Sequence, residues 1–426
     1  MAVIGDQLSV PETGWKRYDG QSSQVKFIGT WLSTSNASYY SGTNIYSSDV
    51  NAKASFNFVG TKLRIIGYRD PARGNVKIKI DGAEEVFSQN GVSQFQILGY
   101  EKFNLSDEEH TVELSFVTGS FDLDAIDIDS TGRLLHPDEV TNITDLEIGK
   151  RIRCNYVVAT SGKSGTLGNL GKEISSMVST PTNIPNVDFY FIMVDEYNGK
   201  KVLVADRNIQ ASISWDALNG EGLIFGVQKN LDDNSRFKFV LRVISGGIDS
   251  INKDNEWDKY IVNSTLNGKI TAGDNNVWNW SGVVRSWTST TYPSYSDKRV
   301  QRGGTTADAF IQNNNGSITT NTSSTVTGYR PVLEVEILPL NRTFINHDGS
   351  YKKIDTLTGM WKTISATLPS EDTFINDGMD DLSVLDRKNK AFVASMSASG
   401  SLGSGKIFKD SIDLKKYFEI TSISVK

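Results

Sequence analysis

The sequence predicts a mainly β protein with a minority of helix, and three observations carry that expectation. Short runs alternate polar and apolar residues, as in Asn75-Val76-Lys77-Ile78-Lys79-Ile80, and a period of two marks a strand with one buried face. Turn signals such as Asp81-Gly82 and Tyr197-Asn198-Gly199 close such runs. Gly is plentiful (37) and Pro scarce (9), with 38% hydrophobic residues, which suits a turn-rich β protein. At 426 residues, two or three domains are expected.

Charge and cysteine content exclude several functions. The net charge is -6 with a pI near 5.3, and Lys and Arg are scattered, which disfavours a nucleic-acid partner. One cysteine, Cys154, excludes an intrachain disulfide and a cysteine-built zinc site. It lies in the strand-like run 151–158, where a buried small apolar residue is the expected role. Three histidines, His110, His136 and His347, argue against a metal-hydrolase cluster. Residues 1–13 lack a basic segment followed by an apolar one, so no secretory signal is expected. No run approaches the roughly 20 apolar residues of a membrane span.

Residues 1–135 read as a first domain. Strands are expected at 54–59, 62–66, 75–80, 94–98, 111–117 and 125–128, and many short strands with one apolar face predict an antiparallel sandwich. The order of 54–67, 76–82, 110–114 and 123–128 resembles a galactose-binding-like jelly roll of the carbohydrate-binding-module type. In such modules sugars stack on aromatic rings, which implies Trp31, Tyr39, Tyr40, Tyr46, Tyr68 and Arg69 as candidates. The same rings would equally cover the sandwich edge. Modules of this kind often bind calcium, and Asp122, Asp124, Asp127 and Asp129 could supply oxygens, with a structural ion near Asp124; solvated carboxylates at a strand end are the plainer reading.

Pro137 and the polar run 138–144 open a middle domain, 136–340. Ser161-Gly162-Lys163-Ser164 suggests a phosphate loop, but Val157 stands where the first Gly is needed, so a nucleotide site is rejected. A hairpin is expected across Tyr197-Asn198-Gly199, and a short helix capped by Ser214 and stopped by Gly220. Four of the eight Trp fall in 254–335, among Asn, Ser, Thr and Gly. There Trp257, Tyr260 and 329–335 are expected to be scaffold. Trp278, Trp280, Trp287, Tyr292 and Tyr295 are expected on loops as sugar-stacking rings, with Asp274, Asn275, Asn276 and Asn279 binding hydroxyls.

Residues 225–335 resemble the C-type-lectin-like α+β fold of phage receptor-binding proteins, with anchors at 242–247, 255–261, 277–280, 286–288, 299–304 and 328–335. With 205–209 and 214–218 added, the run is similar to tail-associated proteins of phages and prophages of Gram-positive bacteria. The formylglycine-generating enzymes share this kind of fold but use cysteines, and none follows Cys154. The disulfides and Glu-Pro-Asn calcium motif of animal lectins are absent as well.

Residues 341–426 read as a small C-terminal β module with a turn at 346–349, a strand at 360–364, a Ser/Gly-rich linker at 397–405 and an apolar alternation at 418–425. Ser401 and Ser404 do not form a Gly-x-Ser-x-Gly elbow. These phrases also resemble modules of phage tail proteins. The resemblance implies a non-enzymatic virion tail protein, made in the host cytoplasm and acting at the outer surface of the host cell. Its partners would be bacterial surface carbohydrate, a wall polysaccharide or teichoic acid, and other tail proteins. No cofactor, nucleic acid or membrane insertion is implied, and a homo-oligomer is left open. The rival readings are a glycan-cleaving tail enzyme and a purely structural baseplate or fibre component.

Overall fold

The computed structural model describes residues 2–231, 236–282, 284–314, 326–338, 342–355, 360–380 and 382. They are mainly strand, in several largely antiparallel sheets, as the sequence predicts. The chain divides into two compact units, one of residues 1–196, 201–227 and 241–333, the other of 197–200, 228–240 and 334–426. Among the described residues no helix is long and apolar enough to cross a membrane.

The first unit begins with a β-sandwich. One sheet is ordered Trp15–Asp19, Ala125–Asp129, Leu63–Arg69, Gln94–Lys102, and the other Arg133–Leu135, Lys53–Gly60, Glu108–Phe116, Asn75–Ile80, Ala83–Ser88. Their apolar residues merge into one core, with Leu63, Ile65, Ile126 and Ile128 from the first sheet and Phe56, Phe58, Val112 and Leu114 from the second. Register follows from the period of two. In Lys53–Gly60 every second residue is buried, and Ala54 and Phe56 stand opposite Leu114 and Val112. A slip by one residue would turn Phe56 and Phe58 to water, at about 1.5–3 kcal/mol each. The Asp81-Gly82 turn has φ of 49° and 87°, a conformation that Gly and Asp tolerate. A small third sheet, Phe121–Leu123, Thr43–Ser47, Leu32–Ser35, lies at one end of the sandwich strands and carries Tyr46 and Asp122.

Past His136 the chain continues with Glu139–Val140, Arg151–Val157, Asn186–Tyr197 and Lys200–Ala205 in one sheet. A five-stranded sheet is ordered Gln210–Ala211, Val326–Tyr329, Val284–Thr291, Lys298–Arg302, Phe310–Asn314. The expected hairpin is present, turning through Asn198 and Gly199 at φ 50° and 73°. The helix Trp215–Gly220 is capped as expected, with the Ala217 N–H donating to Ser214 Oγ at 3.1 Å. Cys154 is fully buried in its strand, and burial pushes its thiol pKa up, which keeps it an inert thiol.

Trp257, Ile261, Trp278, Val204, Ile192 and Val332 share one core. A buried ion pair locks the segment around Trp257: Arg302 Nη1 and Nη2 donate to the two oxygens of Asp258 at 2.8 and 3.0 Å. Asn255 donates to the same carboxylate at 2.7 Å.

The second unit includes a three-stranded sheet, Ile345–His347, Ser350–Ile354, Trp361–Ser365, with a turn at Asp348-Gly349. Helix Glu371–Asp377 is capped by Ser370, and Phe374 packs 5.0 Å from Phe344 between ring centroids. The expectations at 397–405 and 418–425, with Ser401 and Ser404, lie outside the described residues.

Candidate functional site

The structure corrects the placement of the tryptophans between residues 274 and 295. Trp278 and Trp287 are fully buried, Trp278 in the core around Trp257 and Trp287 with its Nε1 donating to the Ile213 carbonyl at 2.8 Å. Neither ring offers a face to a sugar. Trp280 is half-buried against the same core and donates to the Gly273 carbonyl. The neighbouring polar residues build turns: Asp274 Oδ1 accepts the Asn276 N–H and caps helix Asn275–Trp278. Asn279 ends that helix in the left-handed conformation, a position that suits Asn. Its Nδ2 lies 3.4 Å from the Asp206 carbonyl, while Asn276 itself is exposed.

Tyr292 and Tyr295 remain at the surface. Their rings stack at 6.0 Å with 12° between planes, Tyr295 is 51% exposed, and Lys298 Nζ lies 4.4 Å from its centroid. They sit on the connection between strands Val284–Thr291 and Lys298–Arg302.

The strongest gathering of rings and polar groups lies at one end of the sandwich. Tyr39 packs edge-on against Phe95 at 4.9 Å and Tyr68 at 6.1 Å, and Tyr68 lies 4.9 Å from Phe95. The Arg73 guanidinium carbon lies 5.1 Å from the Tyr46 ring centroid and 5.5 Å from that of Tyr68. Beneath it, Arg73 Nε is 2.9 Å from Asp122 Oδ2. Strand register explains the assembly: Tyr46 stands directly opposite Asp122, and Arg73 bridges to Ser120 two residues earlier. Asp122 is sealed from solvent, and the Tyr68 N–H donates to it at 2.6 Å. Burial pushes its carboxyl up to about 7, against the pull of Arg73, the Tyr68 N–H and Asn44. At the rim Asp70 accepts from Ser93 Oγ at 2.6 Å and Tyr68 Oη at 3.2 Å, and the Ser93 bond leads in holding its carboxyl below the usual range.

Of the residues inferred from sequence, Tyr39, Tyr46 and Tyr68 thus meet in one place, with Arg69 nearby on the Tyr68 strand, donating to Gln94 at 3.2 Å. Tyr39 is buried and braces the others. Trp31 packs between Phe27 and Phe121 at 4.9 and 5.0 Å and donates to the Ile28 carbonyl, so it covers the sandwich edge. Tyr40 lies apart, under Arg17 at 5.5 Å. Arg73 and Phe95 were missed. The signal for Arg73 is its turn Asp70-Pro71-Ala72-Arg73-Gly74, which directly follows Tyr68-Arg69. Half-buried rings around a fixed cation, with a carboxylate at the rim, can hold the C–H face of a sugar and bond its hydroxyls.

The four aspartates considered for calcium diverge. Asp122 faces Arg73, Asp127 takes Arg17 at 2.6 and 2.8 Å, and Asp129 accepts the Thr61 and Lys62 N–H groups. Asp124 Oδ1 accepts the Tyr40 N–H, and burial pushes its carboxyl up to about 7. Among the described residues no group of three or more His, Cys, Asp or Glu is arranged to hold a metal ion.

No family model matches the chain. It is 29% identical over 115 residues to the A type blood alpha-D-galactosamine galactosaminidase of Flavonifractor plautii, a match covering 27% of this chain and 11% of that protein. It is 34% identical over 108 residues to the A type blood N-acetyl-alpha-D-galactosamine deacetylase of the same organism, covering 25% and 14%. The chain therefore spans only about an eighth of the length of these curated relatives. Among solved structures, the family 35 carbohydrate binding module from Clostridium thermocellum is similar at 12% identity, 26% of this chain, 96% of that chain and a TM-score of 0.21. An exo-beta-1,3-galactanase from Phanerochaete chrysosporium is similar at 15% identity, 27% of this chain, 29% of that chain and a TM-score of 0.23. Each of these likenesses covers about a quarter of the chain.

Proposed function

We propose that this chain is a non-catalytic attachment protein of a phage or prophage tail, which holds glycans on the outer surface of a bacterial host. The observation that carries the glycan-binding part is the setting of Arg73 against Tyr46 and Tyr68, fixed from below by Asp122. Tyr292 and Tyr295 supply a second exposed contact in the region that resembles the C-type-lectin-like fold of phage receptor-binding proteins. That resemblance supports the tail location and other tail proteins as partners. Both partial relatives are named for chemistry on α-galactosamine of A type blood. The ligand we favour is therefore a galactose-configured amino sugar at a glycan terminus.

The enzyme names of those relatives favour a second reading, a glycan-cleaving or deacetylating protein. One experiment separates the two. Binding of the labelled chain is read on a glycan array and on purified Gram-positive walls, and the supernatant is assayed for released sugar and acetate. Saturable binding with nothing released supports attachment. Catalytic release of either product favours the enzyme.

A further inference from the structure

A polar cleft of about 1040 Å³ lies within the first unit, between the start of the sandwich and the region after His136. It shares no residue with the aromatic rim, and its assignment does not rest on that site. Such a volume is at the top of the usual range for small-molecule pockets, about 300–1,000 Å³, and accommodates several sugar residues. Its two sides are pinned together. Glu173 accepts from Lys16 Nζ at 3.1 Å and Tyr18 Oη at 3.2 Å, and Arg133 Nη1 donates to the Gly171 carbonyl at 2.6 Å.

The cleft wall carries buried polar atoms without a protein partner: Arg153 Nη1, Arg133 Nε, Gln21 Nε2 and Ser23 Oγ. Arg153 is 1% exposed. Its other nitrogens are held by Asp188 at 2.7 Å and the Ser175 carbonyl at 2.7 Å, so the free Nη1 is fixed in position. Buried polar groups are normally satisfied, and leaving one unmet is destabilising. Three of these four atoms are donors only, and the fourth is a hydroxyl. The complement of such a wall is rich in acceptors. Lys172 adds an exposed cation to the lining. The two carboxylates that line it are engaged, Glu173 as above and Asp19 by the Gln21 N–H at 2.7 Å.

We propose that this cleft is a second ligand site, and that it takes an anionic, acceptor-rich polyol chain bearing carboxylate or phosphodiester groups. The N–H groups of Arg153, Arg133 and Gln21 meet the anionic oxygens, and Ser23 meets a hydroxyl.

The test is calorimetric titration of the full chain with three probes: a galacturonate trisaccharide, a glycerol phosphate oligomer and a neutral galactose trisaccharide. Binding of either anionic probe, weakened at least ten-fold by Gln21→Leu with Lys172→Glu and unchanged by Tyr46→Ala, is the expected result. The stronger anionic probe identifies the source of the charge. Shielding of Lys172 from acetylation by that probe in the wild-type chain gives the same answer should the double variant fold poorly. Lack of binding by both anionic probes, equal binding of the neutral one, or no shielding of Lys172 would overturn the proposal. Loss on Tyr46→Ala alone would place the ligand at the aromatic rim instead.

Discussion

Arg73 Nε lies 2.9 Å from Asp122 Oδ2, so a cation with 13% of its side chain exposed rests on a carboxylate with none. Removing the cation leaves a buried, uncompensated charge, and such losses are costly. Arg73→Met is therefore expected to lower the melting temperature at pH 8 by several degrees. The sign follows from Asp122, whose folded pKa of about 7 lies above its ordinary 3.8. A raised carboxyl holds its proton better when folded, so its contribution is present at low pH and lost as pH rises towards 7. The deficit of Arg73→Met should shrink from pH 8 to pH 5. A deficit that does not change with pH would show that Asp122 is not the group left exposed to the loss.

Asp124 presents the same sign without an ion-paired partner. Its Oδ2 is buried and unbonded, and its carboxyl is pushed up to about 7 by burial first, then by Asp122 and Asp19. Asp124→Asn should raise the melting temperature at pH 8 in the presence of a chelator, by roughly 2–4 °C per kcal/mol gained, with little change at pH 4. His136 works in the opposite direction, since burial holds it neutral. Wild type and variant are accordingly compared at each pH rather than wild type across pH alone. Destabilisation by Asp124→Asn that appears only when calcium is added would revive the metal reading.

Trp278 and Trp287, being core, should behave as packing residues. Each Trp→Ala change is expected to cost about 3–5 kcal/mol, seen as a lower denaturation midpoint. Glycan affinity measured on whatever fraction remains folded should be near that of the wild type. A selective loss of binding with unchanged stability would return these rings to the surface.

Asp258 and Arg302 form a buried bidentate pair with both side chains at or near zero exposure. Asp258→Ala should destabilise by about 3–5 kcal/mol because Arg302 is left charged and unpaired. The Asp258 carboxyl is held below its ordinary value: burial raises it, and Arg302 and Asn255 more than offset that. Its contribution should therefore persist at neutral pH and fade below about pH 4, as urea midpoints of variant and wild type would show by converging in acid.

The strands of the sandwich were legible because alternation reports one-sided burial directly, as in Lys53–Gly60, where every apolar residue at the second position is buried. The scaffold role of the strand Pro331–Ile337 was legible for a similar reason, since apolar runs seldom stay exposed, and that of Trp257 was legible from its helix-like segment. Trp278 and Trp287 misled because Asp274, Asn275, Asn276 and Asn279 nearby have the chemistry of hydroxyl binders. Those neighbours cap a helix and close turns, and Trp287 satisfies its N–H on a carbonyl 74 residues away. Arg73 and Asp122 form a site only through pairings between distant strands, which linear spacing does not encode. Tyr39, Tyr46 and Tyr68 were found as residue types; their meeting place was not.

The central claim is that Tyr46, Tyr68 and Arg73 hold a sugar. The most direct measurement is calorimetric titration of an N-acetylgalactosamine-terminated glycan into wild type and into Tyr46→Ala with Tyr68→Ala, with melting curves confirming that both are folded. At roughly 1–3 kcal/mol for loss of stacking and its hydrogen bonds, affinity should fall by about five-fold to over a hundred-fold. Equal affinity in the two folded proteins would contradict the claim.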